Sequence, residues 1–483
     1  MVVNPRRVVV VGYGMAGARF AEEVRRRDPV GERVALTVVG AESHPAYNRV
    51  LLSAVLAGTM PAGVVGLHAA DWAETAGVDL RLGVRVEEID RARRQVVLSD
   101  GSTVEYDAVV LATGSRAWVP PVEGLRGESG ALAADVATFR ELDDCAAILS
   151  RVRPGAPVAV LGGGLLGLEA ARGLLGRGCL VTVVHPVGHL MERQVDPAGG
   201  AVLAKVLTDM GVDVRLGRSA AQHLSGDGLK LDDGGHVPAE LVVVAAGVRA
   251  ETGLAEALGL AVDGGIVVDD TLRTSDPRLH ALGDCAAHPG TAPGMVQSGW
   301  DQAVVLADLV TGANPAARYR GTPPVARLKA RGIDLTALGE VHASSADAEV
   351  ITLDDPTRDR YAKLALRDNR VIGAIILGFP DAAATITEFF DTGTPAPSDR
   401  LALLLGRANP SGTTRTPADL PDDALVCRCN TVTKAGLVAA WRAGATSVPA
   451  LVAATRATTG CGTCADKTAA IADWLAELPV EGS

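Results

Sequence analysis

Four cysteines near the C-terminus form two tight pairs, Cys427-x-Cys429 and Cys461-x-x-Cys464. Thiolates so spaced can grip a metal ion or an iron–sulfur cluster. Far upstream stand two glycine-rich stretches, Gly12-Tyr-Gly14-Met15-Ala16-Gly17 and Gly162-Gly-Gly164-Leu-Leu-Gly167. Each has the spacing that brings backbone close to a dinucleotide pyrophosphate. A one-electron centre downstream of two nucleotide sites reads as a short electron-transfer relay.

The elements around these residues support that reading. RVVVV (7–11) is a buried-type strand that runs into the first loop, and the helical stretch ARFAEEVRRR follows. Gly12 permits the tight turn, Gly14 admits the pyrophosphate, and Gly17 lets helix and strand pack closely. Met15 and Ala16 complete the loop, where the helix N-terminus offers free N–H groups to phosphate. The next strand, RVALTVVG, ends before Glu42, whose carboxylate could accept hydrogen bonds from a ribose diol. That acid comes later than the roughly 20 residues usual for the fingerprint, because the helix and the DPVGER loop are long. Two more strands end in turns, DAVVLATG at Thr113-Gly114 and LHALGDCA at Gly283-Asp284. By itself Asp284 reads as a helix N-cap before AAHPG, which is compatible with a place in a binding site.

PVAVL (157–161), the second loop, a helix carrying Glu169 and the strand LVTVVH repeat the unit. Gly247, after the strand-like run Leu241–Ala246, joins the candidate binding set. An acid at the end of the second strand marks NAD, an arginine nearby NADP. His185 stands there, with Arg193 following, so NADH and NADPH both remain open. Glu169 has a plain alternative, an acid favoured by the dipole in the first helical turn.

Composition narrows the class. A chain of 483 residues exceeds the ~250–300 at which single cores stop growing, so several domains are expected. Apolar residues make up 48%, but the runs are strand-length, short of the ~20 needed for a membrane span. The N-terminus enters a strand directly, so no signal peptide is expected. A formal charge of −11 without a basic tract argues against nucleic acid. Seven cysteines, four of them clustered, favour a reducing compartment and a cytoplasmic protein. Cys145, Cys179 and Cys285 read as small buried hydrophobes.

The nested order (glycine loop, ATG, second glycine loop, GD) resembles the two-dinucleotide flavoprotein reductases. The resemblance implies an α/β fold of two nested Rossmann-like domains, with FAD at residues 1–118 and 242–320 and NAD(P)H at 119–241. It further implies that Asp284 meets the ribityl and pyrophosphate part of FAD, and that Thr113 and Gly114 close the domain near the nucleotide. Arg49 of Tyr47-Asn48-Arg49 would lie along the FAD, and Glu169 would sit near the nicotinamide and flavin rings. Where members carry a C-x4-C pair, a single cysteine, or a lysine after the serine, YNRVLLSAVLAG has no thiol and Ala54. Electrons are therefore expected to leave the flavin directly.

Residues 321–405 read as a small α/β interface domain, with strands at VITL, RYAKLAL and VIGAIILG, a tight turn at RDN, and a helix at DAAATITEFF. Such a domain packs near the flavin in the resembled reductases, and a homodimer is one assembly it allows. A Pro/Thr/Ser-rich linker (406–423) leads to a mostly helical module (424–480). This module resembles the bacterioferritin-associated ferredoxin type, which implies a [2Fe–2S] cluster on Cys427, Cys429, Cys461 and Cys464. Gly460 and Gly462 supply backbone freedom there. Tetrahedral zinc is the competing occupant.

End to end, GYGMAG, YNRVLLSAVLAG, VTVVHPVGHLMERQVD and CRCN…CGTC carry a wider resemblance. It is to the N-terminal part of NAD(P)H nitrite reductase large subunits and to the electron-transfer subunits of assimilatory nitrate reductases. That resemblance implies electrons passing from NADH or NADPH through FAD and the cluster to a separate catalytic subunit, foremost a molybdenum nitrate reductase. The sequence holds no siroheme half, so nitrite reduction by this chain alone is not expected. Two other readings stand: a reductase for a siroheme nitrite reductase, ferredoxin or oxygenase, and a non-catalytic iron- or redox-sensing module.

Overall fold

The computed structural model describes residues 4–478 apart from 290, 292–293, 329, 408–416, 423, 428–429, 431 and 459–463. The chain begins with strand β1 (Arg6–Val11), helix α1 (Met15–Arg27) and β2 (Val34–Gly40). Short helix α2 (Leu52–Ala57), β3 (Asp79–Leu82) and β4 (Ala108–Leu111) follow. Val8–Val11 and Ala108–Leu111 are buried, as parallel strands covered on both faces must be, which is why they read as unbroken apolar runs.

A second unit then interrupts the first. It comprises β5 (Val136–Thr138), β6 (Pro157–Leu161), α3 (Leu165–Gly176), β7 (Leu180–His185), β8 (Asp213–Leu216) and β9 (Leu241–Val244). Only afterwards does β10 (Leu279–Ala281) return to the first sheet, followed by α4 (Val296–Thr311), which packs along α1. The sheet orders are β10-β4-β1-β2-β3 and β8-β7-β6-β9-β5, all parallel. The two crossings between the units pair as an antiparallel ribbon, Ser115–Ala117 against Val248–Ala250.

The next sheet has five antiparallel strands, ordered 325–328, 335–339, 370–377, 360–367, 349–355. The sequence reading gave three strands here. Val325–Leu328 and Leu335–Gly339 are additional, too short for alternation to show around the RGID turn. Asp368 and Asn369 both take positive φ at the hairpin, as the RDN turn requires, and helix Pro380–Thr392 covers the sheet.

The terminal module packs three helices, Lys434–Arg442, Val448–Thr455 and Ala465–Glu477, around Leu437, Leu451 and Ile471. Lys434, buried, donates its ammonium to the carbonyls of Ala418 (3.1 Å) and Leu420 (2.6 Å), fixing the chain that enters the module. Among the described residues no helix is long and apolar enough to cross a membrane.

Candidate functional site

The two glycine loops have nearly the same geometry. Gly12 has φ +113°, and a Cβ there would meet the Ala112 carbonyl oxygen at 2.2 Å. Gly162 has φ +124° and would meet the Ala245 oxygen at 2.2 Å. Cβ atoms on Gly17 and Gly167 would lie 2.1 Å from the Gly12 and Gly162 oxygens. Those four positions are closed by the protein itself. Gly14 and Gly164 differ: each precedes its helix with no side-chain cap, and a Cβ on either meets nothing within 4 Å. An uncapped helix N-terminus beside open space at the middle glycine fits a pyrophosphate at both loops. Met15 is held by its carbonyl, which accepts from the Trp300 indole at 3.2 Å. Ala16 packs so closely that a Cβ on Gly283 would come within 2.9 Å of its methyl.

Around the first loop the acidic and basic candidates form one network. Glu42 accepts from the Tyr47 hydroxyl (2.7 Å) and pairs with Arg49. Arg49 in turn donates to the Arg140 carbonyl at 3.2 Å. Arg140 reaches Asp284 at 2.6 Å and Ser115 at 2.6 Å, and Ser115 also donates to Asp284 at 2.9 Å. Arg140 was not found by sequence reading. It lies in the inserted unit, in VATFRELDD, where nothing but proximity in space ties it to the GD turn. Thr113 donates to the Glu251 carbonyl at 2.7 Å, and Gly114 takes φ +71° beside it. Burial, and then the neighbouring Glu42 charge, raise the Glu141 carboxyl.

At the second loop His185 is buried at the end of β7. Its Nδ1 accepts from the Gly163 N–H at 3.1 Å, and its Nε2 faces Glu192 Oε2 at 3.0 Å. Both ring nitrogens are therefore engaged. Gly247 takes φ +114° at the end of the neighbouring strand, with open space where a Cβ would be. Glu169 is buried on α3 and lines a cavity of about 410 Å³ with Ser53, Ala54, Arg172 and Thr458. Gly173 allows this wall to form, since a Cβ there would sit 3.3 Å from the Ala57 backbone nitrogen of α2.

In the terminal module Cys427 and Cys464 are buried together. Hydrogen bonding from the Cys464 side chain, with the Thr458 and Asn430 N–H groups and the Asn430 side chain, brings the Cys427 thiol down to about 6 against the opposing effect of burial. Thiolate character at Cys427 is the electronic setting a cluster or metal ligand needs, and Cys464 stands beside it at the N-cap of the last helix. Cys429 and Cys461 lie outside the described residues, as do Gly460, Gly462 and most of the 406–423 linker. Arg456 of this module pairs with Glu22 of α1 at 3.3 Å. Cys145, Cys179 and Cys285 are buried, each raised by burial, Cys145 to about 12. They are inert packing residues, as the sequence suggested.

Two nested parallel sheets with paired glycine loops define a two-dinucleotide flavoprotein. Residues 6–302 match the family model described as pyridine nucleotide-disulphide oxidoreductase, and the chain belongs to that family. Residues 324–393 match the rubredoxin NAD+ reductase C-terminal domain, and residues 425–474 the BFD-like [2Fe-2S] binding domain. The chain is 33% identical over 467 residues to a nitrite reductase [NAD(P)H] of Bacillus subtilis, covering 96% of this chain and 57% of that protein. It is 32% identical to the assimilatory nitrate reductase electron transfer subunit of the same organism, covering 96% and 59%. It thus spans less than two thirds of either relative. Putidaredoxin reductase in its covalent complex with putidaredoxin superposes with a TM-score of 0.73 at 27% identity, over 82% of this chain and 95% of that one. The chain is an NAD(P)H oxidoreductase flavoprotein that takes FAD, NAD(P)H and a [2Fe–2S] cluster. The cluster model favours iron–sulfur over zinc for the cysteine set.

Proposed function

We propose that this chain is the electron-input component of a nitrogen-oxyanion reductase, drawing on NADH or NADPH and handing single electrons to a separate catalytic partner. A molybdenum nitrate reductase is the foremost partner, by analogy with the relative named as an electron transfer subunit. A siroheme nitrite reductase is the second, because the other B. subtilis relative is named for nitrite. When bound, FAD and the cluster supply the conversion of a two-electron donor into one-electron steps.

The protein's own part is placement. Glu169 and Arg172 line the cavity from α3, Ser53 and Ala54 from the α2 side, and Thr458 from the cysteine module. That shared cavity is the observation that carries the proposal, since the nucleotide helix and the cluster module border one space. Hydride transfer needs no side-chain acid or base, so orientation does the work. Ala54 brings no thiol or amine to intercept electrons. Glu42, Arg49, Arg140 and Asp284 would hold the FAD, and Cys427, Cys429, Cys461 and Cys464 the cluster.

Anaerobic titration of the holoprotein with NADH and with NADPH tests this, followed by optical and paramagnetic-resonance spectra. Flavin bleaching together with the signal of a reduced [2Fe–2S] cluster is expected. Absence of bleaching with both donors would remove the dehydrogenase role. Reconstitution with nitrate and nitrite reductases separates the two partners.

A further inference from the structure

We propose that Glu192, held in place by His185, makes the second nucleotide site select NADH over NADPH. The proposal rests on reading the Gly162–Gly167 loop as the nicotinamide-nucleotide site. In such a unit the residue at the end of the second strand meets the adenosine ribose: an acid accepts its two hydroxyls, and a basic residue receives a 2′-phosphate. Here the second strand is β7, and it ends at His185.

His185 is not the direct partner, because its ring is spent inside the protein. Nδ1 accepts the Gly163 N–H at 3.1 Å, so the ring proton sits on Nε2 and is donated to Glu192 Oε2 at 3.0 Å. The fit is built for this ring. A Cβ on Gly163 would lie 2.7 Å from the His185 ring and 2.6 Å from the Leu190 side chain. The Glu192 side chain keeps 32% of its surface exposed against 6% for His185. A carboxylate is thereby held beside the strand end by a residue that lies well beyond the position where the sequence rule looks for it.

The cations nearby do not reverse this sign. Arg218, whose backbone N–H donates to the His185 carbonyl at 3.1 Å, has its guanidinium against Asp233 at 2.6 Å. Arg193 is exposed. With one oxygen on His185, the Glu192 carboxylate still has lone pairs to accept from a ribose diol and a charge that repels a 2′-phosphate, so discrimination arises from repulsion as much as attraction.

The test is binding as well as turnover. Calorimetric titration of the holoprotein with ADP-ribose and with 2′-phospho-ADP-ribose gives the affinity ratio without any electron transfer. The wild type is expected to favour ADP-ribose by roughly 10–100-fold, the scale of a like-charge clash. Glu192→Gln should shrink that ratio at least several-fold, and the NADH-to-NADPH ratio of kcat/KM should fall in parallel. His185→Asn keeps an acceptor for Gly163 and removes the Nε2 donor, so it should shrink the ratio in the same direction. Glu192 is partly exposed, so its variant folds even if the histidine variant does not, and it decides the matter alone. Equal binding of the two ligands by wild type, or an unchanged ratio in Glu192→Gln, overturns the selectivity proposal while leaving the site intact. Failure of both ligands to bind overturns the site reading itself.

Discussion

The two dinucleotide units share a backbone and differ in how they finish the site. At both loops the first and third glycines are forced by the protein's own carbonyls, 2.1–2.2 Å from where a Cβ would stand. At both loops the middle glycine faces open space. The acids then diverge. In the first unit Glu42 is locked directly to Tyr47 and Arg49, and Arg140 from the inserted unit reaches Asp284. In the second, a buried histidine relays from the loop to Glu192. On the proposed reading, backbone geometry would set that a dinucleotide is held, and the side chains around it would set which one.

The largest test breaks the backbone device in each unit separately. Gly17→Ala or Gly167→Ala forces a methyl into a carbonyl oxygen that belongs to the loop, which should cost about 3 kcal/mol or more. Chemical denaturation gives that loss. Cofactor analysis should then show Gly17→Ala short of flavin, and Gly167→Ala retaining flavin with weakened nicotinamide-nucleotide binding. If both variants lost the same ligand, the assignment of one loop to each cofactor would fail.

Acid should separate the two sheets. His280, on the edge strand β10, is held down to about 4 by burial and then by the Arg6 charge, from an ordinary 6.5. The unfolded chain therefore binds a proton between pH 6.5 and about 4 that the folded protein refuses. Stability is full above 6.5 and declines as pH falls through that window, by at most about 3 kcal/mol, and His280 adds no further slope below it. β5 holds the matching edge of the second sheet with Val136, Ala137 and Thr138, which do not titrate. Urea melts at several pH values should show a shallower acid slope in His280→Leu than in wild type. Parallel slopes would mean that the histidine is already solvated in the folded protein.

The open glycines give the subtler contrast. Gly14 and Gly164 have φ −79° and −81°, ordinary values for alanine. Gly14→Ala and Gly164→Ala should leave the cofactor-free fold within about 0.5 kcal/mol of wild type. Each should weaken its own dinucleotide by roughly tenfold, about 1.4 kcal/mol. Fluorescence titration of FAD into apoprotein and calorimetry with NADH read the two effects. Loss of stability without loss of affinity would show that the open space is not the ligand's.

How far these features were legible follows from how local they are. The glycine loops, both parallel sheets and the nested order could be read from residue type and spacing, since each depends on a few neighbouring residues. So could the hairpin at Asp368-Asn369. Arg140 could not, because its role arises from a contact between units distant in sequence. Nor could Glu192, since the rule looks at the strand's last residue and finds His185. The strands at 325–328 and 335–339 escaped for a different reason: each is so short that its sheet pairing decides the conformation, the second against Arg370–Leu377 and the first against the second.

The smallest effect concerns the ion pair between the first unit and the cysteine module. Arg456 and Glu22 are partly exposed, 23% and 31%, so breaking their pair should cost no more than about 1 kcal/mol of global stability. A local probe is more telling. His68 is held down to about 4, chiefly by burial, then by the Arg456 and Arg19 charges. Arg456→Ala removes one of those charges, so the His68 ring should titrate at higher pH, which NMR of its ring protons can follow. The same variant should slow nucleotide-driven cluster reduction more than flavin reduction, because only the former crosses the seam between units. If His68 titrates unchanged in Arg456→Ala, the module does not rest against α1 in solution, and the cavity bordered by Thr458 and Glu169 is not a standing feature of the protein.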